Sequence, residues 1–207
     1  MSSQIQTKLS EKEYVEKVNG LKEKPAVLNK IYKDVLQINV DYGTIPGTPK
    51  PSLWKPGAEL LGIYFHLTTG NTIIEKTEDI SKPYFSYVVQ QRFFFEGKLV
   101  SVGVGASNTG ESRYALRKVY ELDYQKMADE EKAKVITKKT SKGIQYYLPT
   151  PPDEIFTLQN TVLKMAKKRA FVDGILSATG ADRIFTQDLS EEDEDRVANA
   201  KPVNQTK

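Results

Sequence analysis

Lys164, Lys167, Lys168 and Arg169 place four cations within a short stretch of otherwise apolar periodicity, KMAKKRAFVDGIL. At 100° per residue, Leu158, Val162, Met165, Ala166, Val172 and Leu176 share one sector of a helix. The three lysines fall together on the opposite side, with Phe171 and Ile175 beside them. Lys164 and Lys168 are one turn apart, so their ammonium groups repel unless an anion lies between them. A phosphate backbone is a natural counter-charge, because each neutralised phosphate releases a counterion. The other reading is a lysine-rich face that only meets water. Phe171 and Ile175 call for a contact beyond solvent: a neighbouring subunit, another part of the chain, or nucleobases. Arg169 falls within the apolar sector. It must snorkel, pair with a carboxylate such as Asp173 at i+4, or mark where the face meets something other than core.

Two further cations sit among aromatic rings. Arg92 lies in the run YFSYVVQQRFFF, and Lys55 follows Trp54, the single tryptophan. Tyr146 and Tyr147 accompany Lys138, Lys139 and Lys142, where rings suit stacking on bases and lysines suit phosphates; a solvated hairpin is the alternative. Other chemistries find less support. GVGASNTG (103–110) resembles a phosphate loop but lacks the Gly-Lys-Ser/Thr ending that places a lysine on a nucleotide. With no cysteine, thiolate sites and disulfides are excluded, and a single histidine, His66, makes an ordinary zinc site implausible. Glu59, Glu75, Asp79, Glu96 and Glu111 stand near expected strands and offer magnesium ligands for a nuclease. Nothing, however, matches a strand-borne Asp followed by a closely spaced Glu-x-Lys. His66 itself falls in an apolar helical stretch, where packing is the expected role.

The elements that must position these residues follow from period and punctuation. The chain has 207 residues, is 39% apolar and 28% charged, and has a net charge of +3, which suits one sizeable globular domain. Removing residues 188–207 leaves 27 bases and 21 acids, a net of +6 on the body, because DLSEEDEDR concentrates acids near the end. That acidic tail either stays solvated or competes with nucleic acid for the basic surface, or recruits a basic partner. Residues 1–20 are expected to be loosely ordered with a short helix at 11–18, and residues 190–207 disordered. No stretch is apolar enough to span a bilayer, and residues 1–9 lack a secretory apolar core, so a cytoplasmic location is expected, in a host if the source is a phage or plasmid.

Within the body, residues 21–189, a helix follows Pro25 with Val27, Leu28, Ile31, Val35 and Ile38 on one face. Four prolines and three glycines then break residues 42–57 into a loop, and a short helix carries Ala58, Leu61 and Phe65 in register. Strands are expected at 71–78, 84–95 and 99–106, the last two joined at Glu96-Gly97 by a hairpin turn. Phe93, Phe94 and Phe95 put apolar groups on both sheet faces, one for a helix and one for a neighbouring protomer. Gly103 and Gly105 signal a bulge or a close backbone approach. Residues 111–132 read as helical, 135–137 and 144–148 as a small basic hairpin, and 153–179 as the strongest helix, closed by Gly180.

As a set, VGVG (102–105), KMAKKRAFVDGILSATG (164–180), FTQDL (185–189) and YGTIPGTPKPSLWKPGAELL (42–61) resemble the Rad-fifty-two superfamily of single-strand annealing proteins, in its phage- and plasmid-borne branch. The likeness covers roughly residues 42–189. It implies an α+β fold: a curved antiparallel sheet packed on a long C-terminal basic helix, repeated around a homo-oligomeric ring. It also implies binding and ATP-independent annealing of single-stranded DNA in recombination, repair or replication, without catalysis or cofactor, with RNA left open as a second substrate. The family's Lys-Arg pair lands on Lys168 and Arg169, and the expected nucleic-acid contacts are Lys164, Lys167, Lys168, Arg169, Arg92 and Lys55. The chain departs from the pattern at residues 107–153, where the family has a shorter connection. A protective single-strand binder without annealing activity is the alternative, and a metal-dependent nuclease a weaker one.

Overall fold

A computed structural model describes residues 10–44, 48–140 and 143–186. The acidic tail and the first nine residues lie outside them, as do the tip of the basic hairpin and the end of the FTQDL segment. The order is α1 (Glu11–Asp34), β1 (Tyr42–Gly43), β2 (Ser52–Leu53), α2 (Lys55–Tyr64), β3 (Thr68–Asp79), β4 (Tyr84–Phe95) and β5 (Lys98–Asn108). Then come α3 (Ser112–Ala115), β6 (Leu116–Val119), α4 (Glu121–Lys126), α5 (Asp129–Lys132), β7 (Ile136–Thr140), β8 (Gly143–Pro149), α6 (Pro152–Thr157) and α7 (Gln159–Thr179). It is a mixed α+β chain with antiparallel sheets and a long C-terminal helix. Among the described residues no helix is long and apolar enough to cross a membrane.

The main sheet has the order β3-β4-β5 and does not close into a barrel. Its β4–β5 turn has the form expected for Glu96-Gly97. Both residues take positive φ, 48° and 73°, which matches the twist of the flanking strands. Opposite Phe93 and Phe94 the register skips Val100, a bulge in β5; Phe93 is fully buried, and Phe95 at the end of β4 is exposed. One face of the sheet carries Phe85, Tyr87, Val89 and Phe93, all buried, and α7 lies over it.

Two apolar clusters meet along α7. The first joins Leu28 and Ile31 of α1, Ala58 and Leu61 of α2, Phe93, Val172, Ile175 and Phe185. The second joins Phe85, Tyr87, Val89, Tyr114, Val162, Ala166 and Ala170. Residues 111–132, expected to be helical, instead break into three short helices around β6. β6 pairs with β8 in a second sheet of order β6-β8-β7. Leu116–Val119 is too short to show its period in the sequence. β7 and β8 fall where the basic hairpin was expected.

Three other expectations change. Pro25 does not open a helix but sits inside α1, which begins at Glu11. Val35 and Ile38 lie past its end and are about half exposed, so the apolar face of α1 is carried by Leu28 and Ile31, and Leu36, also past the end, is buried off that period. His66 is not packed: it follows α2 in the left-handed region at φ 53° and is exposed. Trp54 is a loop anchor. Its ring lies so close over Gly43 that a Cβ there would overlap it, and its amide N–H donates to the Asp41 carbonyl at 2.8 Å.

Candidate nucleic-acid interface

The site is built on α7, so its placement comes first. Leu158, partly buried in the second cluster, closes α6 and opens α7; the expected single helix over 153–179 is thus broken once. At the other end Gly180 takes φ 73° and its N–H returns to the Leu176 carbonyl, the left-handed stop that glycine allows. The helix then reaches β5 with almost nothing between the backbones. A Cβ on Gly103 would overlap the Ala170 carbonyl and the Gly174 amide; one on Gly105 would overlap Ala170 N and the Ala166 carbonyl. The two glycines thus mark close approach, and the bulge lies elsewhere.

Close approach brings two polar side chains of α7 to the outer edge of β5. Asp173 Oδ2 accepts the Val104 N–H at 2.8 Å, and Arg169 Nη1 donates to the Ala106 carbonyl at 2.6 Å. Arg169 also grips Glu111 in a fork, Nη1 to Oε1 at 2.8 Å and Nη2 to Oε2 at 3.0 Å. This settles its awkward angle: the arginine neither snorkels nor pairs with Asp173, but joins the helix to the residue that follows β5. Burial pushes the Glu111 carboxyl up, yet Arg169, the Ser107 hydroxyl and the Asn108 N–H outweigh it and hold its pKa below the ordinary value. Ser107 Oγ is itself buried and faces the carboxylate without reaching full hydrogen-bond geometry.

The lysines take another side of the helix. Lys164 and Lys167 are exposed and Lys168 is partly buried. Asn160, Lys164, Lys168, Phe171 and Ile175 follow one another at three- and four-residue spacing and form a stripe, with Lys167 three residues from Lys164 and four from Phe171 beside it. Its C-terminal half is covered by α2 and β4: Ile175 is fully buried beside Gly62 of α2, and the Phe171 ring meets Phe93 of β4 edge-on at 5.4 Å. Another part of the chain thus accounts for the two apolar residues among the lysines. α2 also delivers Lys55, whose ammonium lies 5.6 Å from the Phe171 ring centre and pairs with Glu59. Lys55 therefore joins the lysine stripe through Phe171. Asp173, the only acid of α7, is turned to β5 and does not compensate the stripe.

No family model, curated protein or solved structure matches the chain. The resemblance described above therefore remains one of sequence motifs.

Between β3 and the first half of α7 runs a groove of about 460 Å³, with Ile74, Lys76, Glu78 and Tyr87 on the sheet side. Gln159, Asn160 and Leu163 form its helix wall, and one turn further along that wall come Lys164 and Lys167. Glu78 accepts Tyr87 Oη at 2.8 Å, Lys76 Nζ at 3.0 Å and Gln159 Nε2 at 3.1 Å. These bonds, Tyr87's first, lower its pKa and keep it charged. The lysine end of the groove suits anions, and the Glu78 end suits hydrogen-bond donors such as amino groups.

Arg92 does not join this arrangement. It alternates with Phe93, which faces α7, and so projects from the opposite sheet face beside Val102. The groove residues of β3 escape sequence reading because Ile73 and Ile74 are adjacent, which leaves the phase of the strand undecided. The five carboxylates considered for magnesium are dispersed: Glu59 serves Lys55, Glu111 serves Arg169, and Asp79 caps its own turn through Ser81 and Lys82. Among the described residues no three His, Cys, Asp or Glu gather as a metal site.

Proposed function

We propose that this chain binds single-stranded nucleic acid along the lysine stripe of α7 and anneals complementary strands, without ATP, as a ring-type homo-oligomer. The observation that supports it best is the alignment of Lys164, Lys167 and Lys168 on one side of α7, extended by Lys55 and bordering an open groove. The motif resemblance to single-strand annealing proteins, which includes these lysines, also supports it. In this reading the lysines hold phosphates while the bases stay available for pairing. Arg169 positions the helix through Glu111, and Arg92, on the far sheet face, lies outside the groove of its own protomer.

Binding of a labelled single-stranded oligonucleotide across a salt series tests the proposal. Three to four neutralised phosphates give a slope of about −2 to −3 in log affinity against log salt. Affinity that stays flat with salt rejects it. Two complementary oligonucleotides then separate annealing from storage: faster pairing supports annealing, whereas protection without acceleration leaves a plain single-strand binder.

A further inference from the structure

We propose that the outer edge of β3 is the docking site for β7 of a second copy of this chain, so that protomers join head to tail by sheet extension. This rests on the homo-oligomer in the reading above and names the surfaces that make it. The main sheet has two edges, and they differ. That of β5 is closed by its own helix, because Asp173 takes the Val104 N–H and Arg169 the Ala106 carbonyl. A strand docking there would have to displace both.

The edge of β3 is open. Over Thr68–Asp79 its ladder partner is β4 alone, and no described strand pairs with its other side. α7 lies over β4 and β5, so β3 extends beyond the helix, with Ile73 39% and Ile74 40% exposed. A long edge with unpaired N–H and C=O groups is a template for another strand. The irregularity between Thr69 and Thr72 disturbs only its start, and no proline interrupts it.

The partner strand is indicated by charge. β3 carries Glu75, Glu78 and Asp79 against Lys76, a net of −2. In the second sheet both edges are basic, with +2 on β6 (LRKV) and +2 on β7 (ITKKT); β7 is the longer, Arg117 of β6 is already paired with Glu154, and Ile136 of β7 is 42% exposed. Pairing β3 with β3, or β7 with β7, sets like charges opposite each other, which is destabilising, whereas β3 with β7 sets opposite charges across the ladder. One chain carries both edges, so the contact is heterologous and generates a ring where its rotation closes.

The test uses the full chain, sized by sedimentation velocity over a concentration series. Wild type is expected to assemble. Glu75→Lys alone and Lys138→Glu/Lys139→Glu alone should each fall to monomer with an unchanged thermal melt, and the combined swap should reassemble. A monomeric wild type, assembly that survives both changes, or a swap that stays monomeric overturns the proposal. Oligonucleotide binding measured on the same samples keeps the two ideas apart. Assembly through this edge without salt-sensitive binding rejects the nucleic-acid reading alone; salt-sensitive binding with assembly that survives both changes rejects the edge alone, and a monomeric wild type rejects the ring with it.

Discussion

Arg169 and Lys168 are neighbours with different work, and mutation separates them. Arg169 holds a carboxylate that is only 9% exposed, so Arg169→Ala leaves that charge without its partner. A fully buried pair broken on one side costs about 3–5 kcal/mol; with Arg169 itself 23% exposed, about 2–3 kcal/mol is expected. A urea midpoint reads this loss, and Arg169→Lys, which keeps charge but not the fork, should recover part of it. Lys164→Ala/Lys167→Ala/Lys168→Ala should leave the midpoint near wild type and flatten the salt slope of oligonucleotide binding by about 2. The same ion pair sets a pH dependence. The folded pKa of Glu111 lies below its ordinary 4.5, so its stabilisation is present above that value and lost as pH falls beneath it. Glu111→Gln should therefore be less stable at neutral pH and show a shallower fall between pH 4.5 and the acid limit, measured by denaturation at several pH values.

At the scale of elements, the helix and sheet are held by the absence of side chains. Gly103→Ala or Gly105→Ala forces a methyl into the backbone of α7, an overpacking that costs at least about 1–3 kcal/mol and shifts the helix carrying the lysines. Gly20→Ala in α1 meets nothing within 4 Å and should instead stabilise by about 0.5–1 kcal/mol. Thermal melts of the three variants check both signs. These glycines show what was legible: VGVG announces a special backbone position, and Glu96-Gly97 a turn with two positive φ values. Which of the two meanings of VGVG applies, bulge or close approach, depends on α7, more than sixty residues further on. The lysine stripe was equally legible from spacing, because helical period is local. The partner of Arg169 was not, since Glu111 lies 58 positions away and Asp173, at i+4, is the local candidate.

For the whole molecule, residues 116–149 form a sheet of their own on the body. Thr150 N–H bonds the Ala115 carbonyl at 2.9 Å, so the ends of that segment are adjacent, and the Arg117–Glu154 pair across it is exposed and weak. Replacing 116–149 by a short turn should leave a cooperative melt and salt-sensitive binding, but remove assembly, because β7 is gone; circular dichroism and sedimentation check this. By itself the sequence determined the α+β class, the β4–β5 hairpin, the helix stop at Gly180 and the alignment of three lysines. Each depends on residues within a turn or a hairpin of one another. Only the tertiary structure decided that α2 and β4 cover Phe171 and Ile175, that Arg92 lies on the far face, and that Arg169 belongs to Glu111. Those outcomes depend on which surfaces meet, and contacts between distant segments leave no period in the chain to read.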